Sequence, residues 1–174
     1  MSHEYSLALP DEAATLACAA HVAHACTQGV TMYLHGNLGA GKTTFVRGFL
    51  HALGVSGQVK SPTFTVVEPY DLPHGVAYHF DLYRIVDPQE LELLGVRDYF
   101  APDAFVLVEW PEHGGEVLPQ ADVEIHLNYA GLARHLTLRA ATDKGRGVLK
   151  ALRDSRKAAN DAETPIPSPC KGEG

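Results

Sequence analysis

Apolar and polar positions along this chain change period several times, and each change marks an element. After Pro10, "DEAATLACAAHVAHAC" (11–26) is rich in alanine, opens on two acids and is stopped by Gly29. Acids at the start suit the positive end of a helix, so a first helix is expected there. "VTMYLH" (30–35) is short, β-branched and apolar, the pattern of a buried strand. "TTFVRGFLHAL" (43–53) reads as a helix closed by Gly54. "SPTFTVVEPY" (61–70) begins as a loop and reads as a strand from about Phe64; a further strand runs from Val76 to Phe80 and ends in Asp81. In "DPQELELLG" (87–95), Asp87 is a good N-cap, Pro88 suits the first helical position, Glu90 completes a capping box and Gly95 ends a compact helix. "AFVLVEW" (104–110) is nearly all apolar, as a strand covered on both faces should be. "DVEIHLNYAGLARHLTLRA" (122–140) alternates around "NYAGLA", which predicts an antiparallel hairpin. A last helix is expected from Asp143 to about Ala159.

The junction of the second and third elements carries chemistry. "YLHGNLGAGKTTF" (33–45) fits the motif G-x-x-x-x-G-K-S/T at Gly36, Gly41, Lys42 and Thr43. Strand, glycine-rich loop and helix follow in the order a phosphate loop needs. The backbone N–H groups of Gly36, Asn37, Leu38, Gly39, Ala40 and Gly41, with Lys42, Thr43 and Thr44 at the helix start, are therefore expected to hold nucleotide phosphates. Lys42 supplies a point charge to the β- and γ-phosphates, and the Thr43 hydroxyl is placed for Mg2+. The fold class that follows is α/β: a three-layer P-loop NTPase-like domain, its central sheet mostly parallel with a C-terminal antiparallel hairpin. One domain is expected over 1–157. The remaining 158–174, with three prolines and two glycines, is expected to be a disordered, dispensable tail.

A magnesium site in such a fold needs a carboxylate at the end of a neighbouring buried strand. Glu109 and Asp81 both qualify, and the sequence leaves open which one contacts the metal. Thr63 in "SPTF" (61–64) could order a loop against the γ-phosphate or its Mg2+, or Ser61-Pro62 could simply start a turn. Trp110 either fills core or serves as a lid or partner contact. His21 and His24 share a helix face without an acid or cysteine at ligand spacing, so no metal role is assigned to them.

Composition narrows the function. The 174 residues carry a formal net charge of −7, which argues against a chain that grips nucleic acid by itself, a local patch apart. Cys18, Cys26 and Cys170 make no C-x-x-C pair. No apolar run approaches the ~20 residues of a membrane span, and no leader pattern opens the chain. A reduced, cytoplasmic, soluble protein is expected, with no membrane association. A GTPase would show an N-K-x-D-type guanine reader; none is present, which favours ATP. Three readings then remain: a small P-loop phosphotransferase acting on a metabolite, an ATPase that drives a conformational cycle in a partner, and a module that binds nucleotide without turnover.

"LHGNLGAGKTTFVRGFL", "VKSPTFTVVEPY", "YHFDLYRI", "ELELLGVRDYF" and "VLVEWPE" resemble, in order and spacing, the TsaE (YjeE) family over about residues 5–150. The resemblance ranks the partner-driving ATPase first and the phosphotransferase second. It implies an accessory ATPase in making N6-threonylcarbamoyladenosine at position 37 of tRNAs that read ANN codons. TsaD and TsaB are the implied partners, and tRNA is met only through their complex. The threonylcarbamoyl bond itself is formed elsewhere. ATP and Mg2+ are the implied ligands, with Thr43 on magnesium, Thr63 as switch threonine, Asp81 as functional aspartate, Glu109 as magnesium-side glutamate and Trp110 beside it. The family also implies an adenine pocket from the segment near Pro10–Thr15 and the late hairpin, where Asp11 and Arg134 are the candidates. No arginine finger is evident, so turnover is expected to be slow until the partners complete the site.

Overall fold

The computed structural model describes residues 3–163. Asp11 caps α1 (Glu12–Ala25), its carboxylate accepting the Ala14 N–H at 2.8 Å. β2 (Thr31–His35) runs into the glycine-rich turn, and α2 (Lys42–Ala52) starts from Gly41 at φ 107°, a conformation glycine takes without a Cβ penalty. β3 (Val67–Leu72) and β4 (Gly75–Asp81) pair antiparallel. α3 (Gln89–Leu93) has the expected reciprocal cap: Asp87 accepts from the Gln89 N–H at 2.9 Å, and Glu90 accepts from the Asp87 N–H at 3.3 Å. β5 (Phe105–Glu109) is buried at every position. β6 (Val123–Ala130) and β7 (Ala133–Ala140) form the hairpin, and α4 (Asp143–Ala162) follows.

The strands make one seven-stranded sheet in the order β1-β7-β6-β2-β5-β4-β3. Its centre, β6-β2-β5-β4, is parallel, and the outer pairs are antiparallel. One face is covered by α1, α2 and α4 through Val22, Phe45, Phe49 and Leu149; the other by α3 and the 3-10 turn Val96–Tyr99 through Leu91 and Val96. Three layers result. The chain leaves β2 towards β4 and later crosses back to place β6 on the other side of β2. That switch opens a crevice at the carboxyl end of β2, where the phosphate-loop motif lies.

Several expectations need correction. The segment Glu4–Leu9 is a strand, β1, paired antiparallel with β7, although no element was predicted there. β3 begins at Val67 rather than near Phe64, because Val66 turns the chain with φ 70° and its N–H closes a 2.7 Å bond to the Pro62 carbonyl. The hairpin turn is only Gly131-Leu132; "NYA" belongs to β6. α4 runs to Ala162 instead of Ala159, so the expected tail does not begin at 158: no proline or glycine interrupts the helix there. The rest of that tail, from 164, lies outside the described residues, as does Cys170. No helix among the described residues is long and apolar enough to cross a membrane.

Candidate functional site

The loop after β2 folds back over the start of α2. Gly36, Gly39 and Gly41 all have positive φ, and a Cβ on Gly36 would meet the Leu127 carbonyl at 2.6 Å. Lys42 is buried beneath this loop. Its ammonium donates to the Gly36 carbonyl and, at 3.3 Å, to the Asn37 carbonyl, and it sits 3.9 Å from the Trp110 ring centroid. An ammonium has three donors, so one remains for a ligand. Burial lowers the Lys42 pKa from the ordinary lysine value, while the Glu109, Glu112 and Asp81 carboxylates oppose the shift.

β4 and β5 bring the two candidate acids together. Asp81 and Glu109 are register partners of a parallel pair, so both side chains leave the α2 face of the sheet at its carboxyl edge. The Thr43 hydroxyl meets Glu109 at 2.9 and 3.1 Å to its two oxygens. His79, two residues before Asp81 and therefore on the same face, is fully buried and pairs with Glu109 at 2.6 Å. Its other ring nitrogen, Nδ1, has no partner. Asp81 gathers the turn ahead of β3: Ser61 donates to its Oδ2, Thr63 reaches the same oxygen at 3.4 Å, and the Tyr83 N–H meets Oδ1 at 3.0 Å.

A cleft of about 390 Å³ is lined by Lys42, Thr43, Thr63, Asp81, Glu109 and Trp110 together with the loop from Leu38 to Gly41 and Thr44. No arginine lines it. Asp11 and Arg134 lie apart, around a smaller cavity of about 180 Å³ on the other side of the loop, with Thr15 and Leu132. Arg134 donates to the Ala40 carbonyl at 3.2 Å and the Gly39 carbonyl at 3.4 Å, and stacks on Tyr129 with its guanidinium carbon 4.3 Å from the ring centroid. Tyr129 in turn donates to the Leu38 carbonyl at 2.6 Å. The hairpin thus braces the loop from behind.

Two residues other than glycine adopt positive φ among the described residues, Val66 (70°) and Trp110 (57°). Both flank the Asp81–Glu109 pair, one turning the chain that delivers Thr63, the other setting the indole over Lys42. Strained backbone of this kind is concentrated at functional sites in proteins generally, which makes this cleft the candidate. Sequence reasoning missed Ser61, His79, Tyr83 and Tyr129. His79 was legible in principle, since strand periodicity places it on the face of Asp81; Tyr129 was not, because its contact spans the fold.

The oxygens of Thr43, Glu109 and Asp81 form a donor set suited to a hard cation such as Mg2+, and the inward N–H groups and Lys42 form one suited to phosphate. The sequence profile of the family described as "Threonylcarbamoyl adenosine biosynthesis protein TsaE" matches residues 9–136. The chain is 48% identical over 124 residues to the tRNA threonylcarbamoyladenosine biosynthesis protein TsaE of Haemophilus influenzae, covering 71% of this chain and 78% of that one. It is 44% identical over 103 residues to the protein of that name from Bacillus subtilis, covering 59% and 64%. The crystal structure of Bacillus subtilis YdiB superposes with a TM-score of 0.77 at 30% identity, covering 90% of this chain and 98% of that one.

Proposed function

Because this chain belongs to the TsaE family, we propose that it is a Mg2+-dependent ATPase that serves tRNA threonylcarbamoyladenosine formation by acting on a TsaB–TsaD complex. The observation that carries the reading is the convergence of Lys42, Thr43, Glu109, Asp81 and Thr63 on one cleft over a phosphate-loop turn. Apolar Leu38, Phe64 and Leu132 are exposed around the loop, surface that a protein partner would cover, which supports action within a complex.

The chain's own groups divide the work. The loop N–H groups and Lys42 bind the phosphates and stabilise charge that grows on the bridging oxygen as the bond to the γ-phosphorus breaks and a water oxygen bonds in its place, giving ADP and inorganic phosphate. Thr43 and Glu109, already in contact, would hold Mg2+, which would supply neutralisation of charge on the phosphate oxygens. Asp81 positions the Ser61–Thr63 turn against the cleft, where a hydroxyl can meet the γ-phosphate. Trp110 covers Lys42 and keeps water from its charge.

Lys42→Ala in a reconstituted reaction with TsaB, TsaD, tRNA and the threonylcarbamoyl donor tests this. The variant should stay folded, lose ATP hydrolysis by more than about 100-fold and fail to support repeated turnover. Wild-type hydrolysis and wild-type tRNA modification by that variant would overturn the proposal. Stoichiometric transfer of the γ-phosphate to a metabolite, with no binding to TsaB–TsaD, would replace it with a phosphotransferase.

A further inference from the structure

A second constellation lies on the opposite face of the sheet from Glu109. Strand periodicity puts Tyr33 and His35 of β2 on the face away from α2, and the parallel register sets His35 directly beside His126 of β6. The two imidazoles are stacked, their centroids 4.5 Å apart and their planes 9° from parallel. Glu124, two residues earlier on β6, shares that face and is hydrogen-bonded to His35 Nε2. One donor atom from each of His35, Glu124 and His126 lies within 4.8 Å of the other two. From the 3-10 segment Pro111–Val117 above them, the Glu112 carboxylate comes to 3.7 Å from His35 Nδ1.

We propose that His35, Glu124 and His126, with solvent as a fourth ligand, bind one divalent transition-metal ion of borderline character, zinc foremost, while Glu112 at the opposite ring nitrogen, Nδ1, of His35 orients that imidazole. Two imidazoles with a carboxylate are the donors such ions select, whereas Mg2+ takes oxygen alone. Zinc bonds of about 2.0–2.2 Å set tetrahedral donors roughly 3.3 Å apart, so binding requires the stacked His35 and His126 rings to turn until their planes meet at one point. His35, Glu124 and Glu112 are part-exposed, which leaves both room to rotate and a path for the ion. Arg139, across from Glu124, opposes a cation there, and its charge is met by Glu4 at 2.8 Å. The site is also placed to matter, because His35 is joined directly to Gly36, the first residue of the phosphate loop. An ion there would pin the end of β2 from which the loop springs.

The test uses the untagged full-length chain, zinc titrated against a chromophoric chelator, and Co2+ as a spectroscopic probe. The expected result is one tight ion per chain, visible Co2+ bands of four-coordinate nitrogen–oxygen type, and no displacement by millimolar Mg2+. His126→Ala and Glu124→Gln should each weaken zinc binding at least tenfold, and the double variant His21→Ala/His24→Ala should leave it unchanged. Should His126→Ala fail to fold, Glu124→Gln carries the test, since glutamine can still accept from His35 while losing the carboxylate. Wild-type zinc affinity in Glu124→Gln, loss of binding in the His21/His24 variant, or a wild-type chain without a tight site would each overturn the proposal.

Discussion

Glu109 is a buried carboxylate that accepts from the Thr43 hydroxyl and pairs with His79, and that arrangement has a testable cost. His79→Phe keeps the ring volume but removes one of those contacts. Leaving a buried acceptor short of a partner costs ~1–3 kcal/mol, so this variant should unfold at lower denaturant and hydrolyse MgATP more slowly. His79→Gln can still donate an amide N–H to Glu109 and should recover much of both. Equal unfolding midpoints and rates for wild type and the phenylalanine variant would show that the pair contributes nothing. The thiols make a separate case. Burial pushes Cys18 up from 9.0 to about 11, with Arg156 opposing; burial, aided by Asp122, pushes Cys26 up to about 12. At pH 8 the thiolate of Cys18 should be about 100-fold scarcer than for an ordinary thiol, so alkylation should be slow and should accelerate only as pH approaches 11. An unfolded thiol ionises near 9.0 and the folded one does not, so stability is complete below pH 9 and should decline above it. Mass-resolved iodoacetamide labelling across pH, beside denaturant melts, checks both signs.

Among the elements, Gly48 of α2 and Gly147 of α4 give opposite answers to one substitution. Alanine in a helix interior is favoured over glycine by about 1 kcal/mol. At Gly147 nothing lies within 4 Å of an added Cβ, so Gly147→Ala should raise the melting temperature. At Gly48 the same atom would lie 2.9 Å from the Leu16 carbonyl and 3.0 Å from the Ala19 Cβ, where α2 crosses α1. Overpacking there, at about 1–3 kcal/mol, outweighs propensity, so Gly48→Ala should lower the melting temperature. A rise in both variants would mean that the α1–α2 contact yields more easily than its geometry suggests. The same difference between local and distant causes explains what could be read in advance. α1, α2, β2, β5 and the cap of α3 were legible because their signals are local: an N-cap, a glycine stop, an unbroken apolar run. β1 was missed although "EYSLAL" alternates, because its reason to exist is β7, more than a hundred residues away. The late start of β3 was hidden because Val66 adopts a backbone conformation its own side chain disfavours, imposed by the turn that brings Thr63 to Asp81. Of the site, the loop and both acids could be named from local pattern. The pairing of Thr43 with Glu109 rather than Asp81 could not, since it depends on how α2 sits over the sheet.

At the scale of the molecule, charge bears on whether the chain alone could hold a nucleic acid. The net charge is −7, yet α4 concentrates Lys144, Arg146, Lys150, Arg153, Arg156 and Lys157, a run that could form a local basic patch. Much of that charge is engaged within the fold. Lys144 donates to the Pro102 carbonyl at 3.0 Å, Lys150 pairs with Asp154 at 3.2 Å, Arg153 donates to the Glu4 carbonyl at 2.6 Å and Arg156 to the Tyr5 hydroxyl at 2.9 Å. Arg146 is paired with Asp143. The Arg153 and Arg156 contacts tie α4 to β1, and Arg146 and Lys150 are paired with acids of the same helix, which reduces the net positive charge of this surface. Phosphate binding grows with the number of charges neutralised and falls steeply with salt, so the isolated chain should not retain tRNA at about 150 mM salt. Addition of TsaB and TsaD should bring both into one complex, and Arg153→Glu should lower the stability of the chain more than it alters tRNA retention by that complex. Fluorescence anisotropy with labelled tRNA, run with and without the partners across salt, separates the cases. Micromolar binding by the chain alone, with a steep salt slope abolished by Arg153→Glu, would make α4 a nucleic-acid surface and end the view that tRNA is met only through the partners.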